Sequence, residues 1–403
     1  MSFLGFAKNT VNLLKQKLTP ICDNRLVFTS FGGHYSDNPK YISQKIHKLN
    51  PDKEIVWLVS DRYRDLLPPY VRTVDIDDKA AVARYRGSAR AIIDNVYGEK
   101  SSQLESSGGS AALKFRFSTF LRSKRGQTVF TTWHGTPLKR MGRDQVGSHV
   151  RDFSCPNTTM ILGNQYTLDI MQRLTFDKIG MELLGTPRND PMFCSEEETR
   201  ALKAKLGLPL DKKILLFAPT FRSDGDGLSD KNIARSGLDQ LQMMQFEDLF
   251  RTLSDSFGGE WALVCRFHYH VEAMADWDSL QSAYPGQIIN GNQHDDMAEY
   301  LACTDMLLTD ASSSMFDFSL TKRPCLLLFP DLEYYATTER GFYTPITQLP
   351  FPVATTFEEL LDNLRSFDAV AYAQGVEHLL HEYGYVDDAD SSERVAKYIL
   401  ANV

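Results

Sequence analysis

The apolar positions of this chain fall into short runs separated by stretches of helical spacing. Runs at 26–30, 54–59 and 91–94 read as buried strands, and so do those at 128–132, 213–218, 261–265, 306–309 and 325–329. Between them the pattern predicts a helix starting near Pro39, one over 196–206 and one over 391–402. Strands that alternate with helices predict α/β layers built on parallel sheets. The Gly- and Pro-rich stretch Leu183-Leu-Gly-Thr-Pro-Arg-Asn-Asp-Pro191 reads as a boundary between two such halves. No internal repeat and no low-complexity tract stands out in the sequence.

Three segments depart from this rhythm. Residues 1–19 place Phe3, Phe6, Val11, Leu14 and Leu18 at helical spacing, with Lys8, Asn12 and Lys15 elsewhere on the wheel. Such a helix either packs on its own domain or lies on a membrane surface. Residues 101–110 are a polar Ser- and Gly-rich loop. Residues 112–125 then interleave five basic residues with three phenylalanines, which suits either anionic head groups or an ordinary basic helix face.

A chain of 403 residues is expected to form two domains, each of roughly 150–200 residues. Its net charge of −8 argues against a general nucleic-acid binder. The six cysteines, at 22, 155, 194, 265, 303 and 325, show no CxxC spacing and read as reduced core thiols. No apolar run approaches the ~18 residues of a membrane span. Lys8, Lys15 and Lys17 interrupt any signal-peptide core, so a cytoplasmic location is expected.

Candidate chemistry gathers where strands end, which is where open α/β sheets hold their ligands. His134 follows the run 128–132; Thr220, Phe221 and Arg222 follow 213–218; Arg266 and His268 follow 261–265; Asp310 and Ser312 to Ser314 follow 306–309. His134 suits a general base near neutral pH. Ser312 or Ser313 can cap the next helix, whose first N–H groups suit an anion, and Lys322 and Arg323 add positive charge. The loop after residue 30, Phe31-Gly-Gly-His-Tyr-Ser-Asp-Asn-Pro39, is a weaker anion-site signal. The sequence has no Walker A pattern, no complete GxGxxG and no GxSxG.

Taken together these segments resemble the CDP-glycerol glycerophosphotransferase family, the teichoic acid primases and polymerases. The resemblance rests on Thr132-Trp-His-Gly-Thr-Pro-Leu-Lys139, Gly185-Thr-Pro-Arg-Asn-Asp190, Ala218-Pro-Thr-Phe-Arg222 and Arg266-Phe-His268. It continues through Thr309-Asp-Ala-Ser-Ser313 with Phe316-Asp317, Lys322-Arg-Pro324 and Arg340-Gly-Phe-Tyr343, in the family's order. Ala311 departs from the pattern, standing where an aromatic is expected, and the first 110 residues match mainly at Gly33 to Pro39.

The resemblance implies a GT-B-like fold: two Rossmann-like domains facing a central cleft. Residues 1–187 would form an acceptor- and membrane-facing domain, and 188–385 a domain for the CDP donor. Residues 386–403 would form a helix packing back on the first. It further implies transfer of glycerol phosphate from CDP-glycerol to a hydroxyl of an undecaprenyl-linked acceptor, with CMP released. His134 would be the base and His268 a second catalytic residue. Arg222, Arg266, Asp310, Ser312, Ser313, Lys322 and Arg323 would hold the donor phosphates. Gly135, Thr136 and Lys139 would lie on the acceptor side. No tightly bound metal is expected, although Asp310 and Asp317 can recruit Mg²⁺. A peripheral place on the anionic inner face of the membrane follows, with no nucleic-acid partner.

Other readings keep the fold: a CDP-ribitol donor, a capsule polymer as product, or a sugar-nucleotide glycosyltransferase. An inactive membrane-surface scaffold is a further alternative. The length of the chain favours a primase or short-form transferase over a long-chain polymerase.

Overall fold

The computed structural model describes residues 3–95, 124–145, 158–175, 179–220, 235–267, 275–338 and 341–403. The chain divides into two units: Met1–His134 with Met141–Asp190 and Tyr385–Val403, and Gly135–Arg140 with Pro191–Gly384.

The sheet of the first unit comprises β1 (Cys22–Phe28), β2 (Glu54–Val59), β3 (Arg72–Asp75), β4 (Ala89–Asp94), β5 (Thr128–Thr131), β6 (Thr158–Leu162) and β7 (Gly180–Leu183). The strands lie in the order β3-β2-β1-β4-β5-β6-β7, every pair parallel. Residues 26–28, 55–59 and 91–93 of its central strands are apolar throughout and buried, because both faces are covered there. Leu26, Phe28, Ile55, Trp57, Ala91 and Ile93 feed one core, in which Phe28 stacks on Trp57 at 5.5 Å. The alternate residues Val27, Val56, Leu58 and Ile92 feed the core on the other face.

The C-terminal helix Ser391–Ala401 completes the first of these cores with Val395, Ala396 and Ile399. The segment Gly185–Asp190 ties it down. Asp387 accepts hydrogen bonds from Thr186 N and Asn189 Nδ2, at 2.9 and 3.2 Å. Asp190 accepts from Ser392 N at 3.1 Å, and Arg394 Nε donates to Leu184 O at 3.1 Å. Gly185 has φ +95, and a Cβ there would sit 2.7 Å from Ser391 Cβ, so the close approach of helix and loop requires glycine.

In the second unit the sheet comprises β8 (Lys213–Phe217), β9 (Trp261–Cys265), β10 (Ile288–Asn290), β11 (Met306–Thr309), β12 (Cys325–Leu328) and β13 (Val353–Ala354). Its order is β10-β9-β8-β11-β12-β13, again all parallel. Each unit is therefore Rossmann-like. The winding reverses between β1 and β4 in the first and between β8 and β11 in the second. The second core gathers Leu215, Phe217, Leu263, Leu308 and Leu328 with the helix Phe246–Phe257. Burial pushes the Cys303 thiol up to about 12 and raises those of Cys265 and Cys325 further, which suits inert core thiols. Cys155 lies outside the described residues.

The helix Phe3–Leu18 leaves Val11, Leu14 and Leu18 exposed while Gln16 is buried. Lys124, from the basic segment, donates to the carbonyls of Thr19 and Gly87, and burial lowers its pKa; residues 112–123 lie outside the described residues. Among the described residues no helix is long and apolar enough to cross a membrane.

Candidate functional site

In the first unit the chain leaves β1 and β4 at the switch point, where adjacent loops diverge and open a crevice. Three residues other than glycine are left-handed around it: Phe31 at φ 37, Asp37 at φ 60 and Trp133 at φ 51. Such conformations cost about 1–3 kcal/mol each and gather where a site over-determines the backbone. Here Asn38 does much of the holding. It is fully buried, its Nδ2 reaches Trp133 O at 3.3 Å, and its Oδ1 accepts from Arg188 N at 2.9 Å. Arg188 Nη1 also meets Asp37 Oδ2 at 2.6 Å, the side chains being only 10% and 8% exposed.

The left-handed turn at Trp133 carries His134 off the end of β5. His134 is half-buried beside the Trp133 ring at 4.1 Å and meets Phe31 edge-on at 5.6 Å. Its Nδ1 lies 2.8 Å from the carbonyl oxygen of Asn95. A carbonyl only accepts, so Nδ1 carries the proton and the neutral ring has its lone pair on Nε2. That is the tautomer a general base at Nε2 needs.

At the switch point of the second unit, Asp310 is fully buried at the end of β11. Its Oδ1 accepts from Thr220 N at 2.7 Å, and Gln240 Nε2 approaches Oδ2 at 3.4 Å while also donating to Leu328 O at 3.2 Å. Thr309 Oγ1 donates to Ala218 O at 2.6 Å, which fixes the loop after β8. Ser312 Oγ accepts from Ser314 N at 3.3 Å and lies 2.8 Å from Ser314 Oγ, whereas the Ser313 side chain makes no cap bond to the helix Ser314–Ser319. Ala311 is buried at 1% exposure. Asp310, Ser312 and Ser313 thus lie together at one strand end.

Other expected donor residues lie elsewhere. Lys322 and Arg323 immediately precede β12, so they sit at the opposite edge of the parallel sheet from Asp310. Arg323 Nη1 binds the carbonyls of Ala302 and Thr304 at 2.9 and 2.6 Å, capping the helix Met297–Cys303, and Lys322 pairs with Glu377 at 3.1 Å on the surface. The short helix Ser314–Ser319 has carried the chain back across the sheet, a reversal that charge alone does not reveal. Arg266 is at the correct strand end, but its guanidinium donates to the carbonyls of Gly291, His294 and Asp295 at 2.5–2.8 Å and lies over Tyr300. It organises the turn after β10. Arg222 and His268 lie outside the described residues.

Gly135, Thr136 and Lys139 were expected within a continuous domain over 1–187, but Gly135–Arg140 groups with the second unit. Backbone pairing is the reason: Tyr343 N donates to Leu138 O at 2.9 Å and Arg140 N to Gly341 O at 3.0 Å, and Lys139 bridges to Phe342. Lys139 also lies over the Tyr335 ring at 5.3 Å, and Thr136 is buried. The same grouping moves the other boundaries to Asp190/Pro191 and Gly384/Tyr385.

The sequence pattern does not single out Asn95, Arg188 or Gln240 as site residues. Asn95 had a usable signal, since it is the first polar residue beyond the buried strand, the position Asp310 holds in the second unit. Among the described residues no three His, Cys, Asp or Glu side chains gather as a metal-binding group.

Comparison with known proteins bears on the family and the fold. Residues 11–401 match the family described as CDP-glycerol:poly(glycerophosphate) glycerophosphotransferase. The teichoic acid poly(glycerol phosphate) polymerase of Staphylococcus epidermidis is 27% identical over 394 residues, covering 93% of this chain and 50% of that protein. The chain thus spans about half the length of that curated relative. The teichoic acid glycerol-phosphate transferase of Staphylococcus aureus is 27% identical over 403 residues, covering 93% of this chain and 92% of that one. A solved structure of the wall teichoic acid polymerase TagF, a histidine-to-alanine variant, aligns with a TM-score of 0.77 at 26% identity, covering 99% of this chain and 96% of that one. With a GT-B-like fold and the family's pattern matched over nearly its whole length, the chain belongs to the CDP-glycerol glycerophosphotransferase family.

Proposed function

We propose that this protein transfers glycerol phosphate from CDP-glycerol to a hydroxyl of a lipid-linked acceptor in teichoic acid-type polymer synthesis. The observation that carries the reading is His134, held with Nδ1 on a carbonyl in a family that uses this donor. The acceptor oxygen attacks the β-phosphorus, His134 Nε2 takes the hydroxyl proton, and the bond to CMP breaks. CMP leaves as an anion whose second phosphate pKa is ~6, so it departs without needing strong acid assistance. The remaining demand is stabilisation of charge on the transferring group. Ser312 and Ser313, with Arg222 and His268, are the groups proposed for it. Arg266, Lys322 and Arg323 are assigned to the scaffold.

The donor is assigned to the second unit and the acceptor to the first, with an undecaprenyl-linked acceptor at an anionic membrane surface. Exposed Val11, Leu14 and Leu18 beside Lys15 and Lys17 support the membrane part of this reading. No tightly held metal is assigned.

The test is CMP release from radiolabelled CDP-glycerol with a short-tailed lipid-linked disaccharide acceptor. Wild type should turn over, and His134→Ala should lose turnover by about 10²–10⁴-fold with donor affinity kept. One added unit marks a primase and a ladder a polymerase. Turnover with CDP-ribitol alone would correct the donor, and a His134→Ala rate near wild type would remove His134 from the chemistry.

A further inference from the structure

His134 Nδ1 donates its hydrogen bond to a peptide carbonyl, and a carbonyl is useful to a base only if its direction is fixed. Asn95 fixes it. Its side chain is fully buried, with Oδ1 accepting from Phe31 N at 3.3 Å and Nδ2 donating to Ser30 Oγ at 3.1 Å. The orientation of the amide follows, because Phe31 N can only donate. Thr29 N adds a bond to Ile93 O at 3.1 Å, so the loop after β1 and the end of β4 are stitched together around this one residue.

The second unit repeats the arrangement with different residues. Asn95 directly follows β4 and receives the N–H of Phe31, three residues beyond β1; Asp310 directly follows β11 and receives the N–H of Thr220, three residues beyond β8. The backbone bond recurs as well, from Ala218 N to Leu308 O at 2.9 Å. The position closes the switch point in both sheets. In the first, the carbonyl of this residue meets the His134 ring 2.8 Å away.

We infer that Asn95 is a positioning residue for His134: its buried side chain aims its own carbonyl at Nδ1 and so holds the imidazole in the tautomer that bears the Nε2 lone pair. The inference rests on His134 acting as the base of the proposed reaction. Without the anchor the peptide can turn, the ring samples both tautomers, and part of the enzyme presents N–H where a lone pair is needed.

The experiment combines ¹⁵N NMR of histidine-labelled full-length protein, with His134 assigned through His134→Gln, and CMP-release kinetics. Wild type should show a protonated Nδ1 and a bare Nε2 at alkaline pH. Asn95→Ala should give a tautomer mixture and a kcat about 10–100-fold lower at nearly constant KM, the scale of losing the hydrogen-bond partner that orients a metal-bound histidine. Asn95→Asp keeps the acceptor for Phe31 N and can accept from the Ser30 hydroxyl. It should restore the tautomer and most of kcat, with the acid limb of the pH profile moved to higher pH by the added charge. Ser30→Ala, a milder change, should fall between wild type and Asn95→Ala. A wild-type spectrum with the proton on Nε2 overturns the inference. So does an Asn95→Ala protein that loses kcat but keeps the wild-type tautomer, since its role would then be support of the fold alone. The spectra need no substrate, so an inactive wild type, or a fully active His134→Gln, would refute the proposed reaction while the tautomer is still decided.

Discussion

Replacing Arg188 by methionine should loosen the first unit selectively, and the structure sets the scale. The change keeps most of the apolar stem and removes the guanidinium that meets Asp37 Oδ2 at 2.6 Å. Asp37 is 8% exposed and keeps a bond from Asn38 N at 2.7 Å, but its charge loses its principal counterpart. Removing one partner of a buried pair costs about 3–5 kcal/mol, against ~0–1 for an exposed pair. At about 1.4 kcal/mol per factor of ten, amide exchange through opening of this unit should accelerate on the order of a hundredfold to a few thousandfold. Hydrogen exchange with mass spectrometry reads this directly in peptides from β1 and β4, and peptides from β8 and β11 serve as an internal control. The double variant Asp37→Asn, Arg188→Met removes both charges and should recover to within about 1–2 kcal/mol of wild type, asparagine being tolerant of the left-handed backbone at 37. Acceleration below tenfold in the single variant, or a double variant no better than the single, would refute the claim that this pair matters through its burial.

Asp190 should give the first unit a pH dependence. Burial raises its carboxyl from 3.8 to about 6, above the unfolded value, so the folded state holds the extra proton between those values. This group's contribution is therefore most favourable below pH ~4 and declines as pH rises through 6; between pH 5 and 7 the loss should be about 1 kcal/mol. Asp190→Asn keeps an acceptor for Ser392 N and should abolish that slope in unfolding measured at pH 5 and 7. Gly185→Ala meets both a left-handed backbone and Ser391, and should cost at least ~2 kcal/mol, with faster exchange in the helix Ser391–Ala401 and none in β8. EDTA should leave CMP release within about twofold; a strong loss restored by Mg²⁺ would assign the reaction a metal.

The long central strands were legible because burial on both faces leaves few choices but Val, Ile, Leu and Phe. Residues 54–59, 261–265 and 306–309 coincide with β2, β9 and β11 to the residue. Strands β3, β6, β7, β10 and β13 are not among the predicted runs: β3 is Arg-Thr-Val-Asp, β6 opens on two threonines, β7 is Gly-Met-Glu-Leu, and β10 and β13 are three and two residues long. Without them the strand order of either sheet, and the shared winding of the two units, could not be seen. That likeness lives in hydrogen-bond positions such as those of Asn95 and Asp310, where the residues differ. His134 and Asp310 lie just beyond strand ends, as the sequence pattern places them, because polar residues after apolar runs mark those ends. The place of Lys322 and Arg323 ahead of β12 is not legible in the sequence, because charge says nothing about which end of a sheet a short helix returns to. The three carbonyls that Arg266 meets are likewise visible only in the structure.

The C-terminal helix has a consequence for how the protein comes into being. The second unit is almost continuous in sequence, over Pro191–Gly384, whereas the first is split around it and receives Val395, Ala396 and Ile399 last. As the chain emerges from the ribosome, the donor half of the proposed enzyme has nearly all its residues before the half bearing His134 can close its core. The nascent first unit therefore waits through roughly two hundred residues of synthesis with an apolar face uncovered, about 10–40 s at 5–20 residues per second. That interval, rather than any property of the finished fold, is when this protein is most exposed to aggregation and most dependent on chaperones.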